Sequence, residues 1–133
     1  MLNPAVILFA NEAFYISFNN KDLDAMDRLW ARHTPPVCIH PGWSALMNRN
    51  EIMQSWRDIF ANDQVNPSIS CHGATVYLQG DIASVVCYEE LQNGWLVATN
   101  NFVMEDKEAR IFHHQSGQCL NPPVGPTPEI KLQ

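Results

Sequence analysis

Apolar residues recur at helical spacing over residues 4–19, near the start of the chain. The positions that follow the i, i+3, i+4, i+7 spacing of an amphipathic helix are Val6, Ala10, Ala13, Phe14, Ser17 and Phe18. Pro4 suits a first helical turn, because its φ is already helical and its missing N–H is not needed there. The pattern predicts a helix over residues 4–19.

Two further segments, 22–31 and 48–62, show similar spacing of apolar residues. Asp22 can cap the first of them through its side-chain oxygen. Asn48 can cap the second, and Glu51 three residues later completes a capping-box arrangement. We therefore predict two more helices, each beginning at a capping residue.

After residue 67 the pattern becomes typical of strands separated by short turns. The predicted strands cover 69–78, 82–91, 95–104 and 110–115. Short turns make consecutive strands antiparallel neighbours. A run of helices followed by such a meander is typical of the α+β class, in which the helices cover one face of a curved sheet.

From Asn121 onward, four prolines in eight residues predict the end of regular structure. We expect one domain over residues 1–120 and a proline-rich tail over 121–133. The hydrophobic content of 46% in 133 residues suits one ordinary domain.

Charge and motifs exclude several classes of function. A formal net charge of −6 leaves no basic face for phosphates, so we expect no nucleic-acid partner. The apolar start at 6–10 is interrupted by Asn11-Glu12, which fits neither a signal peptide nor a membrane span, so we expect a soluble, cytoplasmic protein. Motifs for binding nucleotide, flavin or calcium are missing from the sequence, and we expect no cofactor.

His40 is the leading candidate for chemistry. It precedes Pro41-Gly42 and directly follows the apolar run Val37-Cys38-Ile39, so it would end a short strand at the margin of the sheet. An imidazole with a pKa of about 6.5 can accept a proton from carbon or water at physiological pH. The alternative is a histidine that only hydrogen-bonds the backbone at the turn.

Strand alternation gives two further candidates. One face of 95–104 holds Ala98, Asn100, Phe102 and Met104, and the other holds Thr99, Asn101 and Val103. Asn100 would then be a polar group among apolar neighbours, bonded to a ligand, a water or a side chain such as His113. Alternation also puts His113 in a pocket and His114 on the outer face, which we expect a second subunit to cover.

The four cysteines, at 38, 71, 87 and 119, lack Cys-x-x-Cys spacing, so we expect reduced thiols and no disulfide framework. Cys38, His40 and His113 offer zinc-type donors. A zinc-dependent hydrolase is the third-ranked alternative, because no recognised ligand spacing is present, and our expectation is a site without metal.

A series of short motifs runs along the chain in a fixed order. They are Ala13-Phe14-Tyr15 with Phe18, Asp22-Leu23-Asp24, Leu29-Trp30, His40-Pro41-Gly42, Asn48-Arg49 with Ile52 and Ser55-Trp56, Ala98-Thr99-Asn100-Asn101-Phe102, and Ile111-Phe112-His113-His114. Over about residues 4–116 this series resembles a SnoaL-like domain of the nuclear transport factor 2-like superfamily. The resemblance implies a cone of three helices wrapped by a strongly curved sheet, with an internal pocket, commonly dimeric through the outer face of the sheet.

The steroid isomerases of that superfamily suggest roles for individual residues. By resemblance, His40 is similar to their catalytic base, Asn100 to their protonated aspartic acid and Trp56 to a pocket tyrosine. Phe14 stands where their hydrogen-bonding tyrosine would be. The missing tyrosine favours the alternative of a non-catalytic binding or dimerisation module.

Our leading hypothesis is a cofactor-independent protein that binds a small, mostly apolar organic ligand and, as an enzyme, isomerises, cyclises or dehydrates it. His40 would be the base, and Asn100 and His113 would donate to developing oxyanion charge. Arg49 would hold a substrate carboxylate or, more simply, form a salt bridge at a helix start. The predicted pocket wall consists of Phe14, Trp30, Trp56, Tyr88 and Phe102.

Overall fold

The computed structural model describes residues 2–62 and 68–123, and the backbone of residues 129–132. The elements in chain order are α1 (Pro4–Asn19), α2 (Leu23–Leu29), β1 (Val37–Ile39), α3 (Arg49–Ala61), β2 (Ser70–Gln79), β3 (Ile82–Leu91), β4 (Gly94–Glu105), β5 (Glu108–Cys119) and β6 (Glu129–Leu132). The predicted α+β class is confirmed. No described helix has the length and apolar character needed to cross a bilayer.

Each helix begins at a side-chain cap. The side-chain oxygen of Asn3 accepts from a backbone N–H of the first turn of α1 at 2.9 Å. Asp22 does the same for α2 at 3.0 Å, and Asn48 accepts two N–H groups of α3 at 2.8 and 3.3 Å. The caps predicted at Asp22 and Asn48 are confirmed.

α2 is shorter than the pattern predicts, because the chain becomes extended at Trp30 (φ −81°, ψ 140°). Trp30 forms a bridge to Ile111 of β5, and the next N–H, that of Ala31, donates to the Ile111 carbonyl at 2.9 Å. A sheet contact thus overrides helical propensity at this point.

The sheet is curved and mixed, with strand order β1-β5-β4-β3-β2-β6. Strands β2 to β5 are antiparallel neighbours, as predicted. β1 adds to one edge in parallel with β5, and β6 adds to the other edge in parallel with β2.

The expectation that regular structure ends at Asn121 is wrong for Glu129–Leu132. These residues form β6, where Thr75 pairs with Glu129 and Leu78 pairs with Leu132. A parallel partner requires a long connection, and the prolines occupy that connection in the sequence. Residues 124–128 and 133 of the predicted tail lie outside the described residues.

The helices pack against one face of the sheet and form the core. Its largest fully buried side chains include Trp30, Trp56, Phe14, Phe102, Ile7 and Met26. Residues on β3 and β4 alternate between this inner face and an outer face that the helices leave uncovered.

A β-bulge in β5 interrupts the alternation on which one prediction depends. Phe102 of β4 pairs with Ile111, whereas the preceding residue, Asn101, pairs with His113, so Phe112 is an extra residue. Ile111 and His114 therefore both face the helices. The prediction that His113 points inward and His114 outward is wrong, because the bulge shifts the phase of the strand by one residue.

The Glu105 side chain fixes the segment between α2 and β1. The Glu105 carboxylate accepts the N–H groups of Arg32, His33 and Thr34 at 2.8 to 3.0 Å, and the Thr34 hydroxyl at 2.8 Å. This anchors the chain that leads into β1 and His40.

Arg49, at the start of α3, holds the end of α2. Its guanidinium binds the Asp27 carboxylate at 3.0 Å and donates to the carbonyls of Asp27 and Ala31 at 2.6 and 3.1 Å. The simpler interpretation of Arg49, a salt bridge at the helix start, agrees with these contacts.

Candidate functional site

A cavity of about 270 Å³ lies between α1, α3, the turn after β1 and the inner face of β3 to β5. Its apolar wall includes Phe14, Phe18, Trp56, Ile59, Leu91 and Leu96. Its polar lining consists of His40, Glu89, His114 and Ser116. A few polar groups on a mostly apolar concave surface are typical of small-molecule sites.

A larger groove, of about 440 Å³, lies between α1, α2 and the β4–β5 turn. Its charged lining consists of Arg28, Lys107 and Glu108, none of which is buried. The smaller cavity is the better candidate site, because its titratable side chains are removed from solvent.

Three of the predicted site residues, His40, Phe14 and Trp56, line the cavity. Trp30 and Phe102 do not; both are fully buried in the core. Tyr88 lies on the outer face of the sheet, since its neighbours on β3 are the buried, inward-facing residues. The predicted aromatic wall is therefore only partly correct.

Two further predicted residues also lie off the cavity surface. His113 is on the outer face, because of the bulge in β5. Asn100 is fully buried behind the wall, where it contacts His114 and not the cavity.

His40 enters the cavity wall from the end of β1 and is only 4% exposed. Its ring stands edge-on to the rings of Trp43 and Trp56, with centroids 4.7 Å away in each case. Nε2 lies 2.9 Å from the Ser55 hydroxyl and 3.7 Å from the Cys38 sulfur.

The Ser55 contact assigns the tautomer of His40. The Ser55 hydroxyl gives its one proton to the Ile52 carbonyl at 2.6 Å, since a carbonyl can only accept. It must then accept from Nε2–H of His40, which leaves Nδ1 of His40 unprotonated. Burial and the nearby His114 lower the pKa of His40 to about 4, so the ring is neutral near pH 7.

His114 is 3% exposed and packs against Phe14, with a centroid distance of 4.9 Å. Its Nδ1 lies 2.6 Å from Oδ1 of Asn100. Because that amide oxygen can only accept, Nδ1 carries the proton and Nε2 is the acceptor nitrogen. Burial, with a smaller effect of His113, lowers the pKa of His114 to about 3.

Asn100 belongs to a buried hydrogen-bonded chain. Its amide nitrogen donates to Oδ1 of Asn11 at 2.9 Å and to the Tyr15 hydroxyl at 3.2 Å. Tyr15 in turn donates to Oε2 of Glu89 at 2.5 Å. The amide has its hydrogens and its oxygen occupied, so Asn100 positions His114 and is not placed to bind a substrate oxyanion.

Glu89 ends this chain at the cavity. It is 2% exposed, and its other oxygen accepts from the Ser116 hydroxyl at 2.6 Å. Burial raises the pKa of Glu89, and the hydrogen bonds from Ser116 and Tyr15 counteract part of that increase. The carboxyl is thus more easily protonated than an ordinary glutamate.

Cys38 and His40 are neighbours, but His113 lies on the opposite face of the sheet from the buried Cys38. Among the described residues, no group of three or more His, Cys, Asp or Glu side chains could hold a metal ion. Burial raises the pKa of the Cys38 thiol to about 12, which opposes the thiolate form that zinc requires.

Sequence reasoning missed Glu89, His114 and Ser116. A signal for Glu89 was available, because alternation along 82–91 puts it on the same face as Val85 and Cys87. No local signal identifies His114, since its direction depends on a bulge defined by pairing with β4.

Similar proteins carry the same fold. A crystal structure from Streptomyces avermitilis, described as a proposed dehydratase of the NTF2-like family, has a TM-score of 0.79 and 27% identity, covering 88% of this chain and 96% of that one. A proposed calcium/calmodulin-dependent protein kinase type II association domain from Thiobacillus denitrificans has a TM-score of 0.75 and 26% identity, covering 83% and 92%. A Nostoc punctiforme protein with a cystatin-like fold, at 12% identity, TM-score 0.73 and coverage of 90% and 92%, supports the fold alone.

A curated relative, the F-box protein SKIP8 of Arabidopsis thaliana, is 28% identical over 116 residues. The match covers 86% of this chain and 50% of that protein, so the chain spans about half the length of this relative. A family profile described as the SnoaL-like domain matches residues 7–120. With most of its length matched and its fold shared, this chain belongs to the SnoaL-like domain family.

Proposed function

We propose that this protein binds a small, mostly apolar organic molecule in the cavity and catalyses a cofactor-independent proton transfer on it, in an isomerisation, cyclisation or dehydration. One observation carries the proposal. Two neutral histidines, His40 and His114, line the same apolar cavity, and each has one ring nitrogen fixed as a donor to the protein. The second nitrogen of each ring is left as a proton acceptor.

The size of the cavity supports a small ligand. About 270 Å³ is slightly below the range of roughly 300–1,000 Å³ for ligand pockets. Aromatic and aliphatic walls favour an apolar body, and the histidine acceptors favour a hydroxyl or an acidic C–H on it.

His40 is the proposed general base, and His114 shares or assists that role. Their lowered pKa values reflect burial of the charged form, with a smaller repulsion of His40 by His114 and of His114 by His113. Negative charge that develops on a bound substrate would offset both effects and raise the proton affinity of the ring. Asn100 is proposed to orient His114 and not to bind oxyanion charge, and His113, on the outer face, is not assigned that role.

Hydrogen–deuterium exchange tests proton abstraction without knowledge of the natural substrate. Small apolar ketones in D₂O would be followed by NMR for loss of the α-proton signal. Replacing the base with glutamine, in His40→Gln or His114→Gln, should slow enzyme-dependent exchange by about a hundredfold or more. His113→Gln is the matched control, since it changes the adjacent histidine on the outer face.

Exchange by the wild-type protein no faster than in buffer, for every ketone that binds, would contradict the enzymatic proposal. It would favour a non-catalytic binding or dimerisation module of the same fold. The 26% identity to a proposed kinase association domain favours this second candidate. Ligand binding that survives in both glutamine variants, without turnover in the wild type, would support it.

A further inference from the structure

Glu89 is a buried titratable group that the proposed function does not yet use. Its carboxyl lines the same cavity as the two histidines and is 2% exposed. The hydroxyls of Tyr15 and Ser116 each donate to one of its oxygens, at 2.5 and 2.6 Å.

A purely structural role explains this carboxyl poorly. Among the described residues, no lysine, arginine or histidine forms an ion pair with Glu89. A buried charge without a counter-charge is costly. The arrangement makes sense if the group carries and releases a proton at the cavity surface.

Building on the proposed function, we infer that Glu89 is the general acid of the site, and that the substrate is a β-hydroxy carbonyl compound from which the site eliminates water. A histidine base and a carboxyl acid on one cavity can act on neighbouring atoms of a single molecule. That pairing fits an elimination, which needs a proton removed from carbon and another delivered to the leaving oxygen.

The acceptor nitrogen of His40 or His114 takes the proton from the carbon next to the carbonyl, and the C–H electron pair becomes the new C=C bond. The C–O bond to the hydroxyl breaks, its electron pair stays on oxygen, and Glu89 protonates that oxygen to give water. The proton then returns from the imidazolium to the Glu89 carboxylate through water, which restores both groups.

Strand geometry supplies a suitable spacing. His114 and Ser116 are two residues apart on the same face of β5, so their Cα atoms are roughly 6.6 Å apart. Ser116 binds Glu89, and His114 is the neighbouring polar group along the strand. Acid and base therefore line the same cavity, where one small molecule can contact both.

The test uses two probes with one carbon skeleton. Dehydration of 4-hydroxy-4-phenylbutan-2-one is followed by the absorbance of the conjugated enone product. Deuterium exchange of 4-phenylbutan-2-one, which has no hydroxyl to lose, reports proton abstraction alone. Glu89→Gln should slow dehydration by about a hundredfold or more and change exchange by less than about threefold. The control is Glu90→Gln, because Glu90 is adjacent in sequence but lies at the surface, paired with His72.

The pattern of failures separates the two proposals. Dehydration by Glu89→Gln at the wild-type rate would overturn the acid role. Wild-type protein that exchanges the ketone but does not dehydrate the alcohol would overturn the substrate class and leave the proposed function intact. If His40→Gln and His114→Gln both exchange the ketone at the wild-type rate, the proposed function is overturned.

A pH profile keeps the inference testable if Glu89→Gln folds poorly. The acid must be protonated, so dehydration should slow as pH rises through the pKa of Glu89. Ser116→Ala removes a hydrogen bond that lowers this pKa, and should move that limb to higher pH. The other titratable groups facing Glu89 are Tyr15 on α1, Cys71 on β2, Cys87 on β3 and His114 on β5. A limb that stays in place in Ser116→Ala would assign it to one of those groups and overturn the acid role.

Discussion

Nδ1 of His114 donates a 2.6 Å hydrogen bond to Oδ1 of Asn100, in the interior of the protein. The amide of Asn100 cannot exchange the positions of its oxygen and nitrogen, since the nitrogen already donates to Asn11 and Tyr15. The amide therefore fixes the tautomer of His114, and with it the acceptor nitrogen on which the proposed chemistry depends.

Asn100→Asp should raise the pKa of His114 above its value of about 3. A carboxylate at this position favours the imidazolium form, whereas the amide favours the neutral ring. NMR titration of the imidazole signals measures the change. Asn101→Asp, on the outer face, is the control, and an equal shift in both variants would contradict a specific Asn100–His114 contact.

Acidification should destabilise the protein through its buried histidines. His40 and His114 have pKa values of about 4 and about 3, against 6.5 as the ordinary value. The unfolded chain thus binds more protons below pH 6.5, and stability is lost as pH falls from 6.5 towards 4. Each histidine contributes up to about 1.4 kcal/mol per pH unit in that window.

Glu89, whose pKa is raised, acts in the opposite sense: its contribution to stability is present at low pH and is lost as pH rises through its folded pKa.

Urea unfolding at several pH values, comparing the wild type with His114→Gln, tests the contribution of the buried histidine. The variant should lose free energy of unfolding less steeply on acidification, and His113→Gln should stay close to the wild type, since His113 has only the smaller effect on the pKa of His114. Parallel curves for all three proteins would contradict the assignment of a buried, neutral His114.

Arg49→Lys should destabilise the fold by about 1–3 kcal/mol, because one ammonium cannot replace the several guanidinium contacts to Asp27 and Ala31. Ligand binding should be retained in the folded fraction, since Arg49 is not part of the cavity lining. Thermal unfolding and a binding isotherm measure the two effects. Weaker binding at unchanged stability would instead support contact with a substrate carboxylate.

Glu105→Ala should cost about 3 kcal/mol of unfolding free energy, because four donors of the segment before β1 lose their acceptor. Glu108→Ala is the matched control in the same turn. Glu108 is 68% exposed and makes a surface ion pair, so its loss should cost less than about 1 kcal/mol. Equal losses in urea titrations would show that the buried hydrogen bonds are not what stabilises this segment.

We predict a dimer through the outer face of the sheet, the face that carries Thr99, Asn101 and Val103. The helices pack against the opposite face of the sheet, which leaves this face uncovered and available to a second subunit. Sedimentation should find a dimer at micromolar concentration, and Thr99→Arg should yield monomers. Phe9→Arg, on the exposed surface of α1, should not dissociate it. A monomeric wild type would refute the prediction.

Local patterns predicted most of the fold. The bounds of α1 and β3, and the caps at Asp22 and Asn48, follow from spacing and side-chain chemistry within a few residues of each position. The edge strand β6 was missed, because prolines nearby mark a connection as readily as a terminus.

The sequence by itself determined the helices, the strand meander, the family resemblance and the presence of His40 at the end of β1, since each depends on neighbouring residues alone. Only the tertiary structure decided which polar groups meet at the cavity. The bulge at Phe112 turned His114 inward. The packing of α1 against β3 brought Tyr15 to Glu89, and the pairing of β3, β4 and β5 brought Ser116 to it. Register between strands and contact between distant elements are not encoded in the periodicity of any one segment.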